Sequence, residues 1–420
     1  MKPALAVAGL AFGAYLPSLA GVFHFDDYNV IVHYPTVHSW EALFERAGGG
    51  VRPLLKASYT LNWTLGGGFH LLNMAVHAMN AALLFFIGEA LFRDRKAAFV
   101  AALLFALHPA ATEAVTYISG RSSSLMALFY LGALYAYLRG AHWAISALLF
   151  VLALATRETA ATLPAALLLC ELCRGAWPGW REIVRRQWAH WSLFFAGGIF
   201  LLLNQRYFDL VAYGYGERSL ADNLLTQVGG ISYLVLRLVS LHGYNIDPAL
   251  PVLNAWTPSL ALQAALFLSL FVLAAANLRA RPWIAFGILW FFLQLAPTNS
   301  IVPRLDVAND RQLYLASWGL FLALCIQLRG APRFAAAFVL VLFAGASILR
   351  QLDYRSEVVL WESSVALAPW NARGHNNLGY AYQLAGRVDE ARREYQMALL
   401  LNPGHAKARL NLMFLKDLAR

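Results

Sequence analysis

Charge is scarce in this chain. Of its 420 residues 13% are Asp, Glu, Lys or Arg, whereas an ordinary soluble domain carries about 25%. With 60% hydrophobic residues and a mean hydropathy of +0.53, this excludes a soluble enzyme and reads as a multispanning membrane protein. Cysteine is scarce too. Cys170 and Cys173 lie in one apolar helical run and Cys325 in another; with no second C-x-x-C pair, they are packing residues rather than a zinc or redox site. No glycine-rich phosphate loop follows a strand, which excludes a soluble nucleotide site. No H-E-x-x-H and no Ser/His/Asp order occurs. The net charge of +10 forms no basic stripe interleaved with exposed aromatics, so nucleic acid is excluded as a partner. It gathers in short runs, "RDRK" at 93–96, "REIVRR" at 181–186 and "NLRARP" at 277–282, as in the cytoplasmic loops of membrane proteins.

What is present is a succession of apolar runs near 3–22, 69–92, 97–117, 123–138, 142–156, 159–173, 190–208, 258–278, 283–296, 312–328 and 333–350. They predict an all-α polytopic fold with about 11 transmembrane helices. The first run is read as an uncleaved span. The stretch 224–241 carries Gln227, a Gly pair and Arg237, and is read as interfacial or re-entrant because a mid-span Arg is costly. With the N-terminus inside, eleven spans place every basic loop on the cytoplasmic side. A twelfth at 224–241 would invert the later loops. The short runs 142–156 and 159–173, joined by "RET", predict a recessed, water-accessible hinge.

From about Ser356 the chain turns amphipathic. Leu378, Gly379, Tyr382, Gly386, Ala391, Tyr395, Ala398 and Pro403 follow the tetratricopeptide pattern, and Pro369 and Pro403 stand 34 residues apart. The predicted division is therefore a membrane domain over 1–352 and a repeat domain over 353–420. The repeat is either a cap on the membrane domain or a site for a protein partner.

On this topology several polar groups fall on the non-cytoplasmic side. Asp26 and Asp27 stand directly after the first apolar run. Neighbouring residues do not share a helix face, so one of the two is expected to face a pocket. Desolvation at the membrane rim raises a carboxyl pKa and suits it to act as a base. His70, Asn73 and His77 repeat at helical spacing on one face and are expected to line a cavity. The loop after His108 carries Glu113 and Arg121. "RET" supplies Arg157 and Glu158, and "NDRQLY" supplies Asp310, Arg311 and Tyr314. Arg121, Arg311, Arg157 and Arg52 are candidate phosphate ligands, because the guanidinium fork donates two parallel bonds to such an anion. His108, Glu158, Asp310 and Tyr314 complete the expected lining. A divalent metal is conceivable but has no ligand set, so no metal and no firm cofactor is predicted. The residues alone give a reaction class: proton transfer and anion handling at a bilayer surface.

The blocks "FDDYNVIVHYPTV", "RPLLKASYTLNWTLGGGFHLLNMAVHAMNA", "LLFALHPAATEAVTYISGRSSSL", "LATRETAATLP" and "NSIVP…NDRQLYLASWG" occur in order and are followed by the repeat. Together they resemble the TMTC-type transmembrane and tetratricopeptide-repeat proteins and their bacterial relatives, in the GT-C superfamily of glycosyltransferases. The chain departs from them at Arg157-Glu158, where relatives usually carry Lys-Glu, and at Asp310-Arg311, where they usually carry Glu-Arg. The resemblance implies transfer of mannose or a similar hexose from a polyprenyl-phosphate donor, with inversion. The acceptor it implies is a protein Ser or Thr. A glycolipid or polysaccharide acceptor, or a non-catalytic scaffold, stand as alternatives. It implies Asp26 as base, Asp27 as second choice, and Glu113 as an acceptor-orienting or Arg-pairing group. The short repeat points to a bacterial inner membrane with the site and repeat facing the periplasm; in a eukaryote the membrane would be that of the endoplasmic reticulum.

Overall fold

In lipid a backbone finds no hydrogen-bond partner except itself, so apolar runs of this kind fold as helices. The computed structural model describes all residues except 47–50, 176–178 and 419–420, and the described residues form helices and turns with no strand. The Phe69–Phe92 helix is the hub. It packs against Lys2–Ala14, Arg95–Leu107 and Arg121–Leu138, and Leu84, Phe85, Ile87 and Ala101 sit in the shared core. Small side chains let these helices approach, as where a Cβ at Gly88 would lie 3.1 Å from Ala98. The Asp94 carboxylate accepts from the Ala97 N–H at 3.0 Å. It also pairs with Arg329 at 2.9 Å, which brings the basic loops 93–96 and 329–333 together at one end of the bundle.

The outer helices behave differently. Pro258–Asn277 and Arg333–Asp353 turn apolar side chains outward: Leu268 is 65% and Phe338 64% exposed. Water does not tolerate so continuous an apolar surface; it faces lipid, and the protein is an integral membrane protein.

The span count departs from expectation. Four described helices are long and apolar enough to cross a membrane, Lys2–Ala20, Phe69–Phe92, Pro258–Asn277 and Arg333–Asp353. They become five if Arg95–Leu107 and Pro109–Val115, bent by 56°, count as one span. Eleven are not seen. Hydropathy registers apolar runs without registering where they break. Trp143–Thr156 and Pro282–Leu295 have 14 residues each, or about 21 Å at 1.5 Å per residue, short of a ~30 Å hydrocarbon core. The run 159–173 splits into a tight turn, Glu158–Thr162, and an 11-residue helix, Leu163–Cys173. The stretch 224–241 lies, up to Val239, in one helix, Leu220–Val239, which is not among the candidate spans.

After Asp353 come helices Glu357–Leu367, Ala372–Leu384, Val388–Leu401 and Ala406–Leu418. Gly379 lets the second and third meet, since a Cβ there would lie 2.7 Å from the Tyr395 ring. These helices do not stand apart. Trp361, Leu360, Leu378 and Tyr395 share one buried cluster with Tyr117 and Ile246 of the membrane part.

Pro282–Leu295 and Leu313–Gln327 cross so closely that a Cβ at Gly319 would lie 2.6 Å from Trp290. Gly319→Ala is expected to force the helices apart and cost about 1–3 kcal/mol, read as a lowered thermal unfolding temperature in detergent.

Candidate active site

The first polar loop leaves the membrane at Gly21 and is shaped by contacts from three directions. Phe25 is held at φ +44°, a strained conformation for a side chain of its size. Its N–H donates to Glu357 Oε1 at 3.2 Å, and its ring meets Trp361 edge-on at 5.4 Å. His24 bridges Glu357 at 3.1 Å and the Tyr354 carbonyl at 2.8 Å. The Asp26 N–H donates to the Tyr117 hydroxyl at 2.9 Å. The C-terminal helices and the segment after His108 thus fix the conformation of the Asp loop.

That conformation separates the two acids. Asp27 is fully buried. It accepts from the Ser119 N–H at 2.7 Å, from the Ser119 hydroxyl, and from the His24 N–H at 3.0 Å. Burial pushes its carboxyl up to about 7, partly offset by those donors. Asp26 is half-buried and its carboxylate meets the Tyr117 hydroxyl, with Arg311, Asp306 and Arg373 in electrostatic range. Burial raises its pKa, with Arg311 opposing. Asp27 is therefore engaged by the fold, which leaves Asp26 as the candidate of the two for chemistry.

Opposite Asp26 is a group of arginines. Arg311 is 3.5 Å from Glu113 through Nε, and its N–H donates to the same carboxylate at 2.9 Å. Glu113, 4% exposed, is thereby engaged in holding Arg311. Arg157 reaches the Ser122 hydroxyl at 3.4 Å and that of Ser123, while its Nε is buried without a partner. Burial and the charges of Arg52, Arg311 and Arg304 push its pKa well down. Arg52 makes a two-pronged pair with Glu158 at 3.0 and 2.6 Å. The field of Arg52 holds Glu158 low against the raising effect of burial. Arg157 and Arg311 share the lining of a cavity of about 30 Å³ with Ser123, Thr159, Gln294 and Tyr314, room for about one water. Crowded cations with an unsatisfied buried N–H make this cluster a candidate anion site.

Several expected residues lie elsewhere. Arg121 is fully buried and donates to Asn73 Oδ1 at 2.6 Å, the Ser58 carbonyl at 3.0 Å and the Phe69 carbonyl at 2.9 Å. Its fork is consumed by the fold and closed to phosphate. Asn73 also donates to the Val115 carbonyl at 3.0 Å. His77 bridges Tyr314 and the Ala106 carbonyl, and His108 the Leu238 carbonyl and the Ala110 N–H. The face expected to line a cavity is packed instead, because the bent 108–121 segment covers it. His70 lies nearer the loop, under Gly21. Asp310 accepts from the Asn245 N–H at 3.0 Å and Tyr233 at 3.2 Å. Its carboxyl is pushed up to about 7 by burial and by Glu113. Among the described residues no three His, Cys, Asp or Glu side chains gather to hold a metal.

Sequence reasoning missed Arg304, Asp306, Tyr117, Arg373 and Glu357. Arg373 pairs with Asp247 at 2.6 Å and Asp306 at 2.7 Å, joining the second C-terminal helix to the loop beside Asp26. Arg304 and Asp306 were visible as charges in an otherwise apolar loop, "VPRLD". Glu357 carried no such signal.

Residues 51–216 match the family profile described as Mannosyltransferase (PIG-V), and 372–405 match Tetratricopeptide repeat. Protein O-mannosyl-transferase F38B6.6 of Caenorhabditis elegans is 24% identical over 96% of this chain and 63% of its own length. Human protein O-mannosyl-transferase TMTC1 is 26% identical over 97% of this chain and 56% of its own. Drosophila melanogaster protein O-mannosyl-transferase Tmtc1 is 35% identical over 42% of this chain and 23% of its own. The chain thus spans under two thirds of the length of these relatives. No solved structure matches. These similarities bear out the resemblance drawn from the motifs.

The two acids should separate in stability. Asp27→Asn puts an amide against three donors and is expected to cost about 2–3 kcal/mol. Asp26→Asn should stay within about 1 kcal/mol of wild type. Thermal unfolding of both variants in one detergent checks this.

Proposed function

We propose that this protein is a glycosyltransferase that moves mannose or a similar hexose from a polyprenyl-phosphate donor to a protein Ser or Thr hydroxyl. One observation carries the reading: the half-buried Asp26 carboxylate meets the Tyr117 hydroxyl and lies in the field of Arg311, while its neighbour Asp27 is consumed by the loop. The names of the relatives favour a protein acceptor. The domain frame is a membrane unit over 1–352 and a repeat unit over 353–420.

In this reading the acceptor hydroxyl lies against Asp26. Its oxygen attacks the anomeric carbon from the face opposite the lipid phosphate. The C–O bond forms as the bond to the phosphate oxygen breaks, so the configuration inverts. The hydroxyl proton passes to Asp26, and the leaving phosphate keeps the electron pair of the broken bond. Arg311, Arg157, Arg304 and Arg52 stabilise that growing charge, where a low-dielectric site makes fixed cations most effective. The cavity between Arg157 and Arg311 is water-sized, so the phosphate enters as these side chains part. Glu113 positions Arg311 and Glu158 positions Arg52. We place the site on the non-cytoplasmic face. In support, the Arg95–Leu107 helix starts in the basic loops and runs about 20 Å, at 1.5 Å per residue, to the turn at His108 that leads into the Glu113 segment.

The test is transfer from radiolabelled polyprenyl-phosphate mannose in purified membranes. Wild type should label protein, and Asp26→Asn should lose about 10²-fold or more. Label in lipid would replace the acceptor. Equal transfer by both would remove Asp26 as base, and none with any donor sugar would favour a scaffold.

The pH profile gives a second check. A base must be ionised, and burial and Asp306 raise the Asp26 pKa. Transfer should therefore fall, as pH drops, at a value above the ordinary ~3.9 of Asp. Asp306→Asn should move that acid limb to lower pH, since it removes a like charge. A limb unmoved in this variant counts against the assignment.

A further inference from the structure

Among the described residues outside glycine, only Phe25, Arg52, Arg93 and Ala249 take a positive φ. Phe25 directly precedes Asp26. Strain of this kind persists only where the surroundings impose it, and it gathers at functional sites. The Phe25 dihedrals set the direction in which the Asp26 side chain leaves the backbone. The group that holds them lies 332 residues further along the chain.

That group is Glu357, and both of its oxygens are engaged. Oε1 accepts from the Phe25 N–H at 3.2 Å and meets His24 Nδ1 at 3.1 Å. Oε2 accepts from the Trp361 indole N–H at 2.8 Å, and the Trp361 ring packs edge-on against Phe25. The helix that carries Glu357 is itself firmly seated. The Ser356 hydroxyl caps it by accepting from the Val359 N–H at 3.2 Å, and Leu360 and Trp361 are buried. Apolar side chains alone would seal this junction. A carboxylate that accepts from a strained backbone N–H does more, because hydrogen bonds are directional. Among the described residues the hydrogen-bond partners of Glu357 are His24, Phe25 and Trp361; the arginine cluster is not among them.

We propose that Glu357 is a positioning residue for the transfer: from the first C-terminal helix it holds Phe25 in its left-handed turn and so aims the Asp26 carboxylate at the acceptor hydroxyl. The assignment rests on Asp26 as the base in the reading above. It gives the Glu357–Leu367 helix a part in the chemistry that is separate from any binding by the repeat match at 372–405.

The test uses the full chain in purified membranes for transfer, and the same protein in detergent, taken as the monodisperse gel-filtration peak, for amide hydrogen exchange. A misplaced base slows the chemical step without touching donor binding. Glu357→Ala should therefore lose about 10- to 100-fold in kcat from radiolabelled polyprenyl-phosphate mannose, with KM for the donor within about twofold of wild type. Exchange over residues 24–28 should quicken in the same variant. Glu357→Gln keeps one carbonyl acceptor of the two oxygens and should fall between wild type and Glu357→Ala; it also replaces the alanine variant if that one fails to fold. Wild-type kcat with quickened exchange would reduce Glu357 to a structural clamp, overturn the proposal and leave Asp26 as base. Lost transfer with unchanged exchange would overturn the route through the loop. A raised KM at unchanged kcat would move Glu357 to donor binding and overturn it as well. No transfer by the wild type from any donor sugar would remove the transferase reading and this role with it.

Discussion

A buried guanidinium holds the polar half of this protein together. Arg121 has no exposure, and its donors end on Asn73, Ser58 and Phe69, with the Tyr59 and Phe69 rings against its faces. An uncompensated charge in such a place is very costly, so the three segments it joins have one arrangement that satisfies it. That arrangement fixes the helix after Arg52, the start of the Phe69–Phe92 helix and the bent segment ending at Gly120. A Cβ on Gly120 would lie 2.0 Å from the Glu113 carbonyl, so the chain can pass there only as glycine. From this junction Ser119 reaches Asp27 and Tyr117 reaches Asp26.

The Asp pair shows how one loop gives two adjacent like residues different work. Both carboxyls are raised by burial. Three donors surround Asp27, whereas Asp26 meets the Tyr117 hydroxyl and lies in the field of Arg311. The difference comes from backbone direction, and the C-terminal helices set that direction through Glu357 and Trp361. The repeat thus serves the membrane site as part of its wall. Arg373 extends the same link through Asp247 and Asp306. A change in the packing of the repeat would be felt at Asp26.

Charge complementarity organises the opposite wall. Arg52 and Arg311 each have a carboxylate, Glu158 and Glu113, that orients the side chain without removing the net positive field. Arg157 has only hydroxyls and an unpaired N–H. Burial, with the charges of Arg52, Arg311 and Arg304 added to it, depresses its pKa, and a bound anion would offset both.

Composition, hydropathy and spacing by themselves determined an all-helical membrane protein, a tetratricopeptide segment and a loop rich in acids and arginines opposite the basic loops. These properties are local, because each is written in one stretch of chain. The tertiary structure decided which of the charged residues are free. Arg121 and Arg157 look alike in sequence, yet carbonyls and an amide from two other segments surround one, and two serines and a small cavity meet the other. Asn73 and His77 have the spacing of a lining and are packed as core, and His108 is packed likewise. Apolar runs at 97–117 and 159–173 promised spans and are broken at His108 and after Thr162. Whether a polar side chain is engaged depends on partners tens to hundreds of residues away, as Glu357 is from Phe25, and no local pattern carries that information.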